Sequence, residues 1–155
     1  MKPDVPTADL DIAELARQPA GYWTGAAHEA VIAYINVEHR KLGVTQRHWM
    51  TLNALARATE GLSREAVSEE IRQYLTPQIG SFETYAAVLD DLEEREYVET
   101  DQEGRLRLTD SGWEKRAEIA AGTDAIRGHL HQGIDDVDYA TMVRVLRRMV
   151  ANANG

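Results

Sequence analysis

The sequence has no cysteine, no long apolar run and far fewer cations than anions. Without cysteine there is no disulfide framework and no thiolate metal site, which is compatible with a reducing cytoplasm. No segment approaches the roughly 20 apolar residues that a membrane-spanning helix needs, and the N-terminus lacks a signal-peptide pattern. We therefore expect a cytoplasmic protein that does not bind membranes.

Sequence motifs of catalysis are also missing. The chain has no Gly-rich phosphate loop, no H-E-x-x-H pair and no nucleophile elbow. Five histidines are scattered along the chain, and His129 and His131 are two residues apart, which on a helix points them to different sides and makes a poor chelate. We expect no enzyme activity, no cofactor and no metal.

The charge balance limits the possible partners. A net charge of −9 accompanies 43% hydrophobic residues, and 155 residues suffice for one domain with its own core. Proteins that bind DNA usually present a basic face, because Lys and Arg neutralise phosphates. Between Gly61 and Thr109, however, five Arg stand against nine Glu and three Asp, an excess of seven negative charges. A DNA-binding role has to accommodate this excess.

The stretch 62–109 has the order helix, turn, helix, hairpin. Ser63 is a candidate N-cap, followed by apolar residues at every fourth position (Val67, Ile71, Leu75). Pro77 and Gly80 interrupt the pattern, and a second helical pattern begins at Ser81. Residues 97–100 and 105–108 alternate like two strands joined by a turn. This order predicts a winged helix-turn-helix, which most often holds one helix in the DNA major groove.

Long amphipathic helices are predicted on both sides of the winged unit. Candidate N-caps are Thr45, Thr109 and Asp135 or Asp136. A compact winged domain needs about three helices, so the first helix and the last two keep apolar faces that a second copy of the chain would cover. We predict a mainly α fold with a small β-hairpin wing: an N-terminal arm (1–20) and one domain (21–155), with the winged unit at about 45–109 and dimerisation helices at about 21–42 and 110–152.

Three segments resemble the MarR family of bacterial transcriptional regulators. Residues 44–52 are similar to the family's Leu-Thr-x-x-Gln-Trp-x-x-Leu helix start, residues 89–98 to its passage from recognition helix to wing, and residues 108–112 to its Leu-Thr-x-x-Gly after the wing. The resemblance extends from about Gly21 to Val150. PadR-type regulators share the winged unit but usually lack the long leading helix. The Asp-Arg-Arg motif of a longer family wing is missing here, and Ala87 stands where an Arg is often found.

The resemblance implies a homodimer that binds double-stranded DNA at a pseudo-palindromic operator. The N-terminal part of the second helix would reach bases or phosphates, and arginines beside it and on the wing would contact phosphates. The alternatives to DNA contact are that Ser81 is a helix cap, that Tyr85 is a core residue and that each Arg is a solvated surface charge. The candidate DNA-binding residues are Ser63, Arg64, Ser81, Thr84, Tyr85, Arg105 and Arg107.

Aromatic effectors of this family often bind where the dimer helices meet the winged unit. The resemblance implies such a site here, lined by Trp23, His28 and Trp49, whereas simple core or dimer packing is the alternative for each residue. The predicted function is a dimeric, effector-responsive transcriptional regulator. The competing hypothesis is a MarR-like dimeric ligand sensor or protein-interaction module that has lost DNA binding, as the acidic winged unit would permit.

Overall fold

A computed structural model of the chain describes residues 11–72 and 84–155. The elements in these two ranges are, in chain order, α1 (Ile12–Leu15), α2 (Ala20–Lys41), α3 (Gln46–Arg57), α4 (Arg64–Arg72), α5 (Tyr85–Glu94), β1 (Val98–Thr100), β2 (Leu106–Leu108), α6 (Asp110–Leu130) and α7 (Asp136–Asn154). The two strands form one antiparallel hairpin. The predicted mainly α architecture with a small β-hairpin is confirmed.

Side-chain caps fix where several helices begin. Ser63 Oγ accepts the N–H of Ala66 at 3.1 Å, Thr109 Oγ1 accepts the N–H of Gly112 at 3.0 Å, and an Asp135 oxygen accepts the N–H of Asp138 at 2.8 Å. Each bond satisfies an amide that has no partner within its helix. These caps are the ones that the sequence predicted, because the interaction spans only three residues.

The second helix of the winged unit does not begin where the sequence placed it. Thr84 has extended backbone angles and its hydroxyl accepts the N–H of Ala87, so α5 begins at Tyr85 rather than at Ser81. Ser81 lies outside the described residues. The buried face of α5 consists of Val88, Leu89 and Leu92.

The core lies where α3, α5, the hairpin and α6 meet. Leu52, Leu92, Leu106 and Ile119 come from these four elements, and each is 0% exposed. Burying one such side chain stabilises the fold by about 1.5–3 kcal/mol. The winged unit and the first half of α6 therefore share one hydrophobic cluster.

An isolated antiparallel β-bridge holds the wing to Leu62, just before the start of α4. Leu62 exchanges two backbone hydrogen bonds with Leu106, at 3.2 and 2.7 Å, while β1 and β2 pair Val98 with Leu108. Gly61 precedes this bridge with φ +78°, and a Cβ there would lie 3.0 Å from the Leu106 carbonyl oxygen. Only glycine adopts this conformation without strain at so close an approach.

The last helix contributes nothing to this core. No residue of α7 is buried, and several of its apolar side chains are exposed. Val137 is 72% exposed, Val150 61%, Val145 50%, Met142 47% and Met149 40%. Of the helices in residues 11–72 and 84–155, none is long and apolar enough to cross a bilayer.

Gly112 provides a test of how α6 joins the wing. A Cβ at this position would lie 2.0 Å from the carbonyl oxygen of Tyr97, so Gly112→Ala forces the helix away from the wing. We expect a loss of about 3 kcal/mol in the free energy of unfolding, measured by urea denaturation.

Gly128 is the matched control in the same helix, because a Cβ there meets nothing within 4 Å. Gly128→Ala should stabilise the protein by about 0.5–1 kcal/mol, the usual helix preference for alanine. Equal stability gains in both variants would disprove the close contact between α6 and the wing.

Candidate nucleic-acid interface

The exposed end of α5 is the part of the winged unit best suited to contact DNA. Thr84, Ala86 and Ala87 are exposed, and the stretch 84–89 carries no acidic residue. Small neutral side chains at a helix N-terminus leave the backbone amides approachable for an anion. Thr84 is present here as predicted, although its hydroxyl also caps the helix.

Tyr85 lies partly inside the protein. The Arg47 guanidinium sits over its ring, 5.1 Å from the ring centroid, so one face of the phenol is covered by α3. A cation at this distance is attracted by the π-electrons of the ring. Tyr85 thus joins α5 to α3, which fits the alternative in which Tyr85 is a core residue. Its side chain is nevertheless only half-buried.

Three of the four acidic residues of α5, namely Asp90, Asp91 and Glu93, pair with arginines. Arg64 Nη1 lies 3.0 Å from Asp90 Oδ1, and Arg64 Nη2 pairs with Glu93. Asp91 Oδ2 lies 2.9 Å from Arg95 Nε. The arginines therefore partly neutralise the carboxylates in the C-terminal half of α5. The N-terminal turn of α5 carries no carboxylate.

Arg64 consequently serves the packing of α4 on α5. Its side chain is 41% exposed, and its guanidinium bridges two acids of α5. Ser63 caps α4 beside it. A phosphate would reach Arg64 only from its exposed side, in competition with Asp90 and Glu93.

The wing brings Arg105 and Arg107 to one carboxylate. Asp101 Oδ1 accepts the backbone N–H groups of Glu103 and Arg105, both at 2.9 Å, and so shapes the turn. Its Oδ2 lies 3.2 Å from Arg105 Nε and 3.4 Å from Arg107 Nε. The backbone N–H of Arg105 lowers the pKa of Asp101 most strongly; burial opposes this shift, and the Glu103 N–H and the Arg105 charge add to it. Both arginines lie on one face of the wing, as the strand alternation predicted.

Ion pairing extends to every arginine between Gly61 and Thr109. Besides Arg64, Arg105 and Arg107, the structure pairs Arg72 Nη1 with Glu69 at 2.7 Å and Arg95 with Asp91. Exposed pairs of this kind are worth about 0–1 kcal/mol each. These pairs orient the arginine side chains but are weak enough to be exchanged for other partners.

A hydrogen-bond network links α5 to the turn after α2, and sequence reasoning missed it. His48 Nδ1 accepts the Thr45 N–H at 3.2 Å, so its ring proton is on Nε2, which donates to Asp91 Oδ2 at 2.9 Å. Arg95 Nη1 completes the link by donating to the Gly43 carbonyl at 2.6 Å. The His48 side chain is 5% exposed. The Thr45-x-x-His48 spacing of a capping box was the one signal available in the sequence.

The aromatic candidates for an effector site lie in different surroundings. Trp49 neighbours Arg116, whose guanidinium carbon is 5.9 Å from the Trp49 centroid and 5.9 Å from that of Trp113. Arg116 Nε donates to Asn53 Oδ1 at 3.0 Å. Trp23 instead contacts Tyr22, edge to face, and donates to Gln18. The Nε2 atom of His28 is buried without a hydrogen-bond partner in the described part of the chain.

Many solved structures that are similar to this one are described as MarR family transcriptional regulators. The PcaV transcriptional regulator from Streptomyces coelicolor superposes with a TM-score of 0.70 at 23% identity, over 89% of this chain and 99% of that one. A MarR family protein of Mycobacterium tuberculosis in complex with DNA gives 0.63 and 21%, over 85% and 98%. CouR from Rhodococcus jostii bound to p-coumaroyl-CoA gives 0.63 and 22%, over 85% and 91%. Neither a family model nor the sequence of a curated protein matches. The chain has the MarR-type winged-helix fold.

Asp91 provides a test of the network between α3 and α5. Asp91→Ala leaves the buried Nε2 donor of His48 without an acceptor, and we expect a loss of about 1–3 kcal/mol in the free energy of unfolding. Glu94→Ala, an exposed acid on the same helix, should change it by less than about 0.5 kcal/mol. Urea denaturation with equal m-values measures both. Equal effects would mean that His48 does not depend on Asp91.

Proposed function

We propose that this protein is a cytoplasmic, homodimeric transcriptional regulator that binds a pseudo-palindromic DNA operator and responds to a small aromatic effector. The observation that supports DNA binding best is the exposed N-terminal end of α5, where Thr84, Ala86 and Ala87 face solvent and no carboxylate stands among them. The neighbours of the same fold, one of them in complex with DNA, support the same function.

The division of contacts follows from the charges. Thr84 and Tyr85, with Ser81 before them in the sequence, would meet base edges or phosphates at the mouth of the major groove, where helix-turn-helix proteins read sequence. Arg105 and Arg107 would meet phosphates from the wing, with Arg64 and the Ser63 end of α4 beside them. Because these cations are few, base contacts have to supply a large part of the affinity.

We propose that a second copy of the chain packs against the exposed apolar face of α7. This helix exposes valines and methionines along its length and has no buried residue of its own. Apolar faces of this kind on a soluble protein mark interfaces. A two-fold dimer through α7 and the long helices α2 and α6 would present two α5 helices to successive major grooves.

The proposed effector site is centred on Trp49, with Trp23 and His28 as the further candidates from the sequence. Arg116 strengthens this proposal, because it offers a cation between two indole rings at the contact of α3 with α6. An aromatic carboxylate would place its charge on Arg116 and its ring on an indole. An effector that binds one arrangement of α3 and α6 better than another would shift the spacing of the α5 helices.

One observation favours the competing function, a dimeric sensor or protein-interaction module without DNA binding. Each of the five arginines between Gly61 and Thr109 already has a carboxylate partner, so few positive charges in this stretch are available to phosphates without exchange. A direct binding measurement separates the two functions.

Fluorescence anisotropy with DNA from upstream of the protein's own operon tests the proposal. We expect specific binding that weakens with salt, and Arg105→Ala and Arg107→Ala should each reduce the slope of log K against log salt by about 0.9. Arg17→Ala, which removes an exposed cation before α2, should leave the slope unchanged. An intact dimer that binds no DNA at low salt would favour the sensor function instead.

Tryptophan fluorescence tests the effector site, with 4-hydroxybenzoate as the first probe. Arg116→Gln removes a charge-assisted hydrogen bond worth about 1.5–3 kcal/mol, so the affinity should fall at least tenfold. Lys115→Gln is the control, because Lys115 pairs with Glu118 at 2.7 Å. Identical quenching curves for Arg116→Gln and the unaltered protein would remove Arg116 from the site.

A further inference from the structure

The wing contains its own anion at the point where a phosphate would bind. Asp101 Oδ2 lies between the Nε atoms of Arg105 and Arg107, at 3.2 and 3.4 Å. The remaining donors are partly engaged as well: Arg105 Nη2 lies 2.5 Å from Glu103 Oε2, and Arg107 Nη2 donates to the Glu60 carbonyl at 3.3 Å. Arginines bind carboxylate and phosphate oxygens through the same kind of charge-assisted hydrogen bond.

We propose that Asp101 acts as an internal counter-ion that occupies the phosphate site of the free wing and lowers its affinity for DNA. The proposal rests on the DNA-binding function proposed above. When DNA binds, a backbone phosphate takes the place of the Asp101 oxygen between the two arginines. Asp101 thereby sets how strongly the wing contributes to binding.

The two oxygens of Asp101 have separable roles. Oδ1 accepts two backbone N–H groups and shapes the turn, whereas Oδ2 faces the arginines. Asparagine can keep the first role through its carbonyl oxygen and cannot supply the second charge. The charge of Asp101 can therefore be removed while its turn is kept.

The pairing is weak enough to be exchanged. The side chains of Arg105 and Arg107 are 35% and 39% exposed, so water screens their attraction to Asp101. Their exposed edges face solvent, where a phosphate can approach. The contact thus weakens DNA binding without abolishing it.

The consequence concerns all DNA sequences alike. Phosphate contacts carry no sequence information, and they supply essentially all of non-specific binding. The pairing of Asp101 with the wing arginines therefore lowers the affinity for unrelated DNA and for the operator by the same factor. Discrimination is then left to α5.

The test compares variants that each remove one negative charge from the winged unit. Asp101→Asn removes the counter-ion, and Glu94→Gln removes an exposed acid at the end of α5 as the matched control. Glu103→Gln is a second variant, because its side chain meets Arg105 and takes no part in the turn. Two readouts apply to each full-length protein: the salt concentration of elution from heparin, and anisotropy with operator and shuffled DNA.

We expect Asp101→Asn to elute from heparin at higher salt than Glu94→Gln and to bind both DNAs about tenfold more tightly at low salt, with a steeper salt slope. Glu103→Gln should shift both readouts in the same direction by a smaller amount. The proposal is overturned if Asp101→Asn and Glu94→Gln shift together, or if Asp101→Asn binds more weakly with an unchanged melting temperature. Should the unaltered protein fail to bind its operator, the proposed function fails, while the heparin comparison still decides the role of Asp101. If Asp101→Asn lowers the melting temperature, the comparison of Glu103→Gln with Glu94→Gln decides whether the proposal holds.

Discussion

Compensation of negative charge within the winged unit is the constraint on which the rest of this structure depends. The C-terminal half of α5 carries four acids, and α4, α3 and the turn after α5 supply the groups that face three of them: Arg64 for Asp90 and Glu93, and His48 with Arg95 for Asp91. These contacts add to the hydrophobic packing of α5 in the core that it shares with α3 and α4. The N-terminal end of α5 carries only neutral side chains, whereas the acids are at its C-terminal end. This uneven distribution of charge along α5 is compatible with the proposed DNA-facing surface on an acidic protein.

Local interactions were predictable from the sequence, and contacts between distant residues were not. Caps at Ser63, Thr109 and Asp135 and the alternation of the hairpin depend on residues two to four positions apart, so their patterns are visible in one dimension. The pairing of Arg64 with Asp90 spans 26 positions, and that of His48 with Asp91 spans 43. Such pairs depend on how the helices pack, which periodicity does not encode.

The candidate site shows the same division. The sequence identified Arg105 and Arg107 and placed them on one face of the wing, but it gave no sign that Asp101 joins them. It identified Trp49 and did not connect it with Arg116, which reaches Asn53 across 63 positions. The start of α5 was placed at Ser81, because Ser81 and Thr84 are equally good caps by residue type and only the backbone at Thr84 distinguishes them.

The contact between Gly112 and the Tyr97 carbonyl has a mechanical consequence. With no side chain between them, the start of β1 and the first turn of α6 move together. Thr109 stabilises the same corner, because its hydroxyl accepts the Gly112 N–H and donates to the Glu96 carbonyl. Helix α6 has 21 residues, which makes it a rod about 30 Å long. A rotation of α6 by about 5° about its C-terminal end therefore displaces the wing by roughly 2–3 Å, because the hairpin moves with the opposite end of this rod.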